Sequence, residues 1–288
     1  MRVLSILESS ALAGPHVYIA NMIPSLVHVE MRLLIPNDAS DELIFFLRKK
    51  EVHYNLIQMQ HITLEGKALL RYLWRFPIEI ISIIREINKY KPDIVYVAGG
   101  AWQFKSVIAG RLAKAVVVWH MNDSKMPLLI QTLFTLLGWI PKAYVYASGR
   151  TENYYSGLLL KKKMSRVIQS SVDTNLFSPN VRLPADDYLQ NISSDDFVVG
   201  TIANINPVKG LELLIDIAVL LENKYANVKF LIVGPVSKRQ QNYYNSLVER
   251  MKKKLISSVV FVGGRSDVRP LLARFNVYLC VSRYESSP

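Results

Sequence analysis

Apolar residues along this chain follow two rhythms. Short, mainly apolar runs at 2–7 (RVLSIL), 29–35, 52–58, 92–97 (PDIVYV), 115–119 and 143–147 have the length and bounding turns of buried strands. Between them lie stretches of helical period at 16–26, 41–50, 67–90, 103–114 and 151–160. Pro24 should shorten the first of these. Pro77 should kink or split the third, whose apolar stripe runs through Leu70, Leu73, Ile80, Ile84 and Ile87. A further short strand is expected at 166–168. Strands alternating with helices at this spacing predict a parallel sheet covered on both faces.

Residues 171–196 change character, with turn chemistry and an acidic, serine-rich end, and read as an interdomain linker. The alternation then restarts: strand 197–202, a helix from Gly210, strand 228–233, helix 240–254, strand 259–262, helix 268–274 and strand 276–281. The predicted fold class is therefore α/β, with two Rossmann-like domains at 1–170 and 197–288. The second, with four strands and no closing helix, reads as incomplete. The uncharged run at 126–141 is shorter than the ~18–20 apolar residues that span a bilayer, so it is expected as a buried or interfacial helix. The first residues have too short an apolar stretch for a secretory signal.

One stretch carries candidate chemistry, 197–221 (FVVGTIANINPVKGLELLIDIAVLL). A strand, a polar turn and an amphipathic helix in succession set backbone N–H groups and a helix start at the sheet's carboxyl edge. Lys209 adds a full positive charge there, an arrangement suited to a phosphate. An ordinary connection with a solvated lysine is the competing reading, since any open α/β sheet has several such turns.

Composition narrows the partners only a little. The 288 residues carry 35 Lys and Arg against 23 Asp and Glu, for +12. Residues up to Ser170 hold 21 basic and 12 acidic residues (+9), leaving 14 and 11 (+3) after it. Such a field draws nucleic acid, anionic lipid or phosphorylated substrates. No zinc spacing, arginine-rich segment or RNA-binding aromatic signature is present, so no nucleic-acid partner is expected. Lys161-Lys162-Lys163, Arg48-Lys49-Lys50 and the 126–141 run together offer a possible face for an anionic membrane. The single cysteine, Cys280, fits a reducing compartment and reads as a small core residue in its apolar run. His16, His28, His53 and His61 lack metal-ligand spacing, and no metal is expected. Tyr243, Tyr244 and the tryptophans are expected to pack into the domains.

Several segments, in order, resemble a retaining glycosyltransferase of the large family 4 type, with the GT-B fold of two facing Rossmann-like domains. They are KPDIVYVAGG, WHMND, RVIQSSVDTNLFSP, VVGTIANINPVKG, VKFLIVGP, VVFVGGRSDVRPLL and VYLCVSRYESSP. The resemblance implies a nucleotide diphosphate sugar as donor, bound without metal or other cofactor, and a saccharide or lipid-linked acceptor. It also implies front-face displacement, with the leaving phosphate helping to take the acceptor proton. Lys209 matches the lysine that pairs with the diphosphate, and Glu285 the first of two glutamates, which orients the sugar hydroxyls. Ser286 and Ser287 match positions whose N–H groups meet sugar and phosphates. His120 matches the acceptor-domain histidine, Gly14 the first-loop approach to the diphosphate, and Gly263 and Arg265 the base-binding turn.

There are departures. Asn204, and near it the uncharged Asn206, stand where the family often has an arginine, leaving Arg265 as a candidate substitute. Ala13-Gly14 has one glycine where a pair is common, and the second glutamate would lie beyond Pro288. The chain is accordingly expected to bind donor poorly. The expected setting is cytoplasmic, either free or peripheral on the inner membrane face. Two alternatives stand beside a transferase of surface polysaccharide or glycolipid synthesis. One is a nucleotide-sugar epimerase of the same fold, and the other is an inactive fragment or acceptor-binding module.

Overall fold

A computed structural model describes residues 1–60, 66–123, 125–179, 183 and 186–286, apart from the side chains of 66–69. The chain divides into two compact units, Met1–Ser171 and Val172–Ser286. His61 and Ser287 lie outside the described residues.

Unit 1 is a seven-stranded sheet in the order β3-β2-β1-β4-β5-β6-β7, every neighbouring pair parallel. Its strands are β1 (Arg2–Ile6), β2 (Glu30–Pro36), β3 (Tyr54–Ile57), β4 (Ile94–Ala98), β5 (Val116–Met121), β6 (Ala143–Tyr146) and β7 (Met164–Val167). The helices between them are α1 (Gly14–Met22), α2 (Asp41–Lys49), α3 (Gly66–Tyr90), α4 (Phe104–Leu112), α5 (Leu128–Leu137) and α6 (Gly149–Ser156). The chain starts in mid-sheet, runs out to β3 and returns past β2 and β1 to β4, with α3 making the return. Alternation along the strands splits the core in two. Val3, Leu33 and Ile35 meet Ile19, Leu43 and Leu47 of α1 and α2. Leu4, Ile6, Val97 and Trp119 meet Ile83, Phe104, Val107, Ile130, Phe134 and Tyr155 of α3–α6.

Three sequence expectations change here. Helix α3 runs unbroken through Pro77, because the carbonyl that Pro77 leaves without a donor belongs to Leu73, on an exposed turn. Its buried face is Tyr72, Ile80, Ile83 and Ile87, whereas Leu70 and Leu73 point to solvent. Two apolar stripes share this helix, and periodicity alone does not say which one the sheet covers. Arg48, Lys49 and Lys50 end α2, on the opposite sheet face from α5, and so form no common patch with it.

Unit 2 is a four-stranded parallel sheet, β10-β9-β8-β11. Its elements are β8 (Phe197–Ile202), α7 (Leu211–Glu222), β9 (Val228–Val233), α8 (Gln241–Lys253), β10 (Val259–Gly263), α9 (Arg269–Arg274) and β11 (Val277–Tyr278). On one face Leu211, Leu214, Ile215, Ala218 and Leu247 cover Val199, Phe230 and Ile232, with Tyr243 and Tyr244 packed alongside. On the other, Val198, Leu231 and Val233 meet Leu271, with Tyr188, Leu189 and Ile192 against them. Part of the expected linker is thus packed on this unit, because its short 3-10 turn (Asp187–Asn191) carries apolar side chains. Cys280 is exposed, not in the core: β11 is a two-residue edge strand paired on one side only, with β8. Trp119 is buried as expected, but Trp74 and Trp139 are exposed. Among the described residues no helix is long and apolar enough to cross a membrane.

Candidate functional site

In unit 2 the carboxyl ends of β8, β9 and β10 are knitted together by backbone bonds. Ala203 N–H donates to Val233 O (2.8 Å), Ile205 N–H to Pro235 O (3.1 Å) and Gly234 N–H to Gly263 O (3.0 Å). The Asn206 side chain caps the next turn by accepting from Val208 N–H (3.0 Å). A 3-10 turn, Pro207–Lys209, then reaches Gly210 at φ 60°, and α7 begins. Glycine is required at 210 twice over. Its φ is left-handed, and a Cβ would lie 2.4 Å from Val281 O.

That close approach brings the chain beyond β11 over the turn. Arg283 N–H donates to Val208 O (2.8 Å), and its guanidinium pairs with Glu212, which also accepts from the Tyr243 hydroxyl (2.5 Å). Lys209 Nζ consequently pairs with Glu285 Oε1, both side chains about a quarter exposed. The two residues that the sequence singled out, 76 positions apart, are therefore partners. Asn204 is exposed, and Ser286 is half-buried.

Gly263 and Arg265 close the neighbouring turn. Gly263 has φ 84°. The Arg265 guanidinium is taken up by Asp186 (3.0 Å) and by the carbonyls of Val262 (2.9 Å) and Gly264 (3.1 Å). It holds the 186–191 segment to the sheet edge.

In unit 1, Gly14 opens α1 in exposed surroundings, where a Cβ would meet nothing within 4 Å. His120, near the end of β5, is buried with both ring nitrogens engaged. Nδ1 lies 2.8 Å from Tyr96 Oη and Nε2 3.2 Å from Asn122 Nδ2, with Tyr18 edge-on at 5.2 Å. Since the Asn122 amide donates to Nε2, the ring proton is assigned to Nδ1. Burial pulls its pKa down to about 4, so the ring is neutral at physiological pH. It can meet a sugar hydroxyl only by giving up one of these partners.

Sequence reasoning missed the groups around it. Asp123 accepts from Ala101 N–H (3.3 Å) and from the Tyr155 hydroxyl, and burial pushes its carboxyl up to about 6 in spite of them. Gly100, at φ 87°, makes room, because a Cβ there would fall 2.5 Å from Asp123 Cγ. The glycine pair after β4 was the available signal.

These buried groups set opposing pH limbs. His16, also buried, is lowered to about 4. For each histidine the stabilisation is complete above 6.5 and is lost as pH falls through about 4, roughly 3 kcal/mol apiece. Asp123 works the other way. Its folded pKa is raised from 3.8, so its penalty is present above about 6 and relieved on acidification. Asp123→Asn is therefore expected to steepen the loss of stability between pH 6.5 and 4. Denaturant midpoints against pH check this, and parallel profiles for variant and wild type would count against it.

Comparisons with known proteins bear on the fold. Residues 188–288 match the family model described as "Glycosyl transferases group 1". The Bacillus subtilis (strain 168) protein named "Putative glycosyltransferase EpsF" is 23% identical over 134 residues, 45% of this chain and 33% of the relative. The match thus spans about a third of that relative's length. Among solved structures, Anabaena Alr3699/HepE in complex with UDP and glucose has a TM-score of 0.78 at 17% identity, covering 97% of this chain and 74% of that one. A chain assigned as UDP-N-acetylglucosamine 2-epimerase, from Listeria monocytogenes, has a TM-score of 0.63 at 12% identity, covering 94% and 70%. The fold is GT-B, with Rossmann-like units, and the fold alone does not choose between transfer and epimerisation.

Proposed function

We propose that this chain is a nucleotide-sugar-dependent glycosyltransferase of the retaining kind, acting on a saccharide or lipid-linked acceptor in surface polysaccharide or glycolipid synthesis. The observation that carries the reading is the Lys209–Glu285 pair on the turn after β8, inside the segment that matches the glycosyltransferase family. A leaving nucleoside diphosphate gains negative charge in the transition state. Lys209 and the amides of the turn entering α7 supply positive potential where that charge grows, with no metal assigned to the task. The Glu285 carboxylate suits sugar hydroxyls once the diphosphate has taken its place on Lys209. We assign Asn204, Asn206, Gly263 and Ser286 to the donor side, and Gly14 and His120 to unit 1's part in holding substrate. Arg265 serves as a positioning residue through Asp186. The UDP of the HepE complex makes uridine diphosphate sugars the first donors to try.

The test is product analysis by mass spectrometry and NMR with candidate donors, with and without saccharide acceptors. Nucleoside diphosphate release that depends on acceptor, with the anomeric configuration kept in the product, is expected. A donor sugar altered at one carbon in the absence of acceptor would replace this reading with the epimerase. An inverted linkage would remove the retaining assignment.

A further inference from the structure

Two ion pairs join the same two segments of unit 2. Lys209 and Glu285 make one, Glu212 and Arg283 the other. One segment is the turn entering α7, and the second is the chain beyond β11. Backbone contacts set their register: Arg283 N–H donates to Val208 O (2.8 Å), and Gly210 lies against Val281 O. Arg283 and Glu285 both reach toward the turn and the start of α7, while Tyr284 between them is exposed.

A ligand would act on these pairs differently. A diphosphate on Lys209 takes the place of Glu285, so the first pair opens when donor binds. Glu285 is then needed on the sugar hydroxyls at the moment it loses its own tether. The second pair starts from the first turn of α7 and includes no group assigned to the diphosphate. Glu212 is also fixed from behind. Its Oε2 accepts from the Tyr243 hydroxyl of α8 (2.5 Å), and Tyr243 packs on the core that Leu211, Leu214 and Leu247 build. The Glu212 side chain is 25% exposed and that of Arg283 59%. An ion pair this open adds little to stability. What it supplies is placement, since a carboxylate anchored to the core holds the arginine two residues before Glu285.

We propose that Glu212 is a positioning residue. Through Arg283 it keeps the 281–285 segment on the Lys209 turn after a diphosphate has displaced Glu285, so that this carboxylate stays beside the sugar. The inference rests on the reading of Lys209 as the diphosphate's partner.

The experiment has two arms, both on the 288-residue chain. Hydrogen exchange by mass spectrometry reads the peptide that contains Arg283 N–H, in wild type and in Lys209→Ala, where the first pair is already gone. Adding Glu212→Gln, which removes the charge and keeps an acceptor for Tyr243, should speed exchange roughly three- to fivefold in either background, the scale of one partly exposed ion pair. Arg283→Lys should stay near the wild-type rate, Arg283→Gln should match Glu212→Gln, and the differences should shrink as salt rises. The second arm is NMR titration with UDP and with UDP-glucose. Glu212→Gln should leave the UDP dissociation constant within about twofold and weaken UDP-glucose by the same three- to fivefold, at unchanged melting temperature. Exchange in Lys209→Ala that Glu212→Gln does not alter would overturn the proposal. So would an equal loss of UDP and UDP-glucose, which would mean that the turn itself is disturbed. Wild-type chain that takes up neither nucleotide would count against the transferase reading, while the exchange arm, which needs no ligand, still decides whether Glu212 holds the segment.

Discussion

Lys209→Ala is expected to lower turnover by about 10²- to 10³-fold, the scale seen when one preorganised donor to a developing negative charge is removed. The loss should fall mainly on kcat, because the lysine matters most when the diphosphate carries its full leaving-group charge. In the structure Lys209 is already paired with Glu285, so bound diphosphate replaces one anion by another and leaves no cation buried alone. Glu285→Gln should accordingly leave Lys209 able to hold nucleoside diphosphate while impairing sugar transfer. Steady-state kinetics on both variants, with nucleoside diphosphate titrations alongside, tests this. Undiminished turnover in Lys209→Ala would remove Lys209 from the site.

Lys105→Met is expected to cost unit 1 about 3–5 kcal/mol, the range for removing one partner of a buried ion pair. The change keeps most of the volume and strips from two buried carboxylates, Glu8 and Glu79, the one cation paired with them among the described residues. Glu8 already has its pKa raised by burial, against the pull of Lys105, so the folded state holds that proton more tightly than the unfolded chain does. Its penalty therefore grows as pH rises through the folded pKa and is relieved in acid. The variant should be weakest at neutral pH, and adding Glu79→Gln should restore part of the loss. Equilibrium denaturation at two pH values checks both points; a loss under about 1 kcal/mol would mean that water, not Lys105, compensates the carboxylates.

Legibility in the sequence differed from place to place for reasons of range. The turn carrying Lys209 and the loop carrying Glu285 were each readable locally, as a strand followed by small and charged residues. The resemblance gave each a separate role, and their pairing comes with the close approach of Gly210 to Val281 O. Nothing next to Arg265 in the chain announces its pairing with Asp186, 79 positions away, which the fold alone makes. Asp123 and Tyr155, or Glu8, Lys105 and Glu79, have no local pattern, since each residue alone resembles an ordinary polar one.

By itself, then, the sequence determined the order of strands and helices, the two α/β units and the basic turn after β8. Those depend on periodicity and turn chemistry, which act between near neighbours in the chain. Only the tertiary structure decided which stripe of α3 is buried, that Cys280 sits on an exposed edge, that His120 is enclosed and neutral, and that Lys105 neutralises two distant carboxylates. Burial and charge pairing belong to groups brought together from remote parts of the chain, and their energies exist only once the sheet has put those parts side by side.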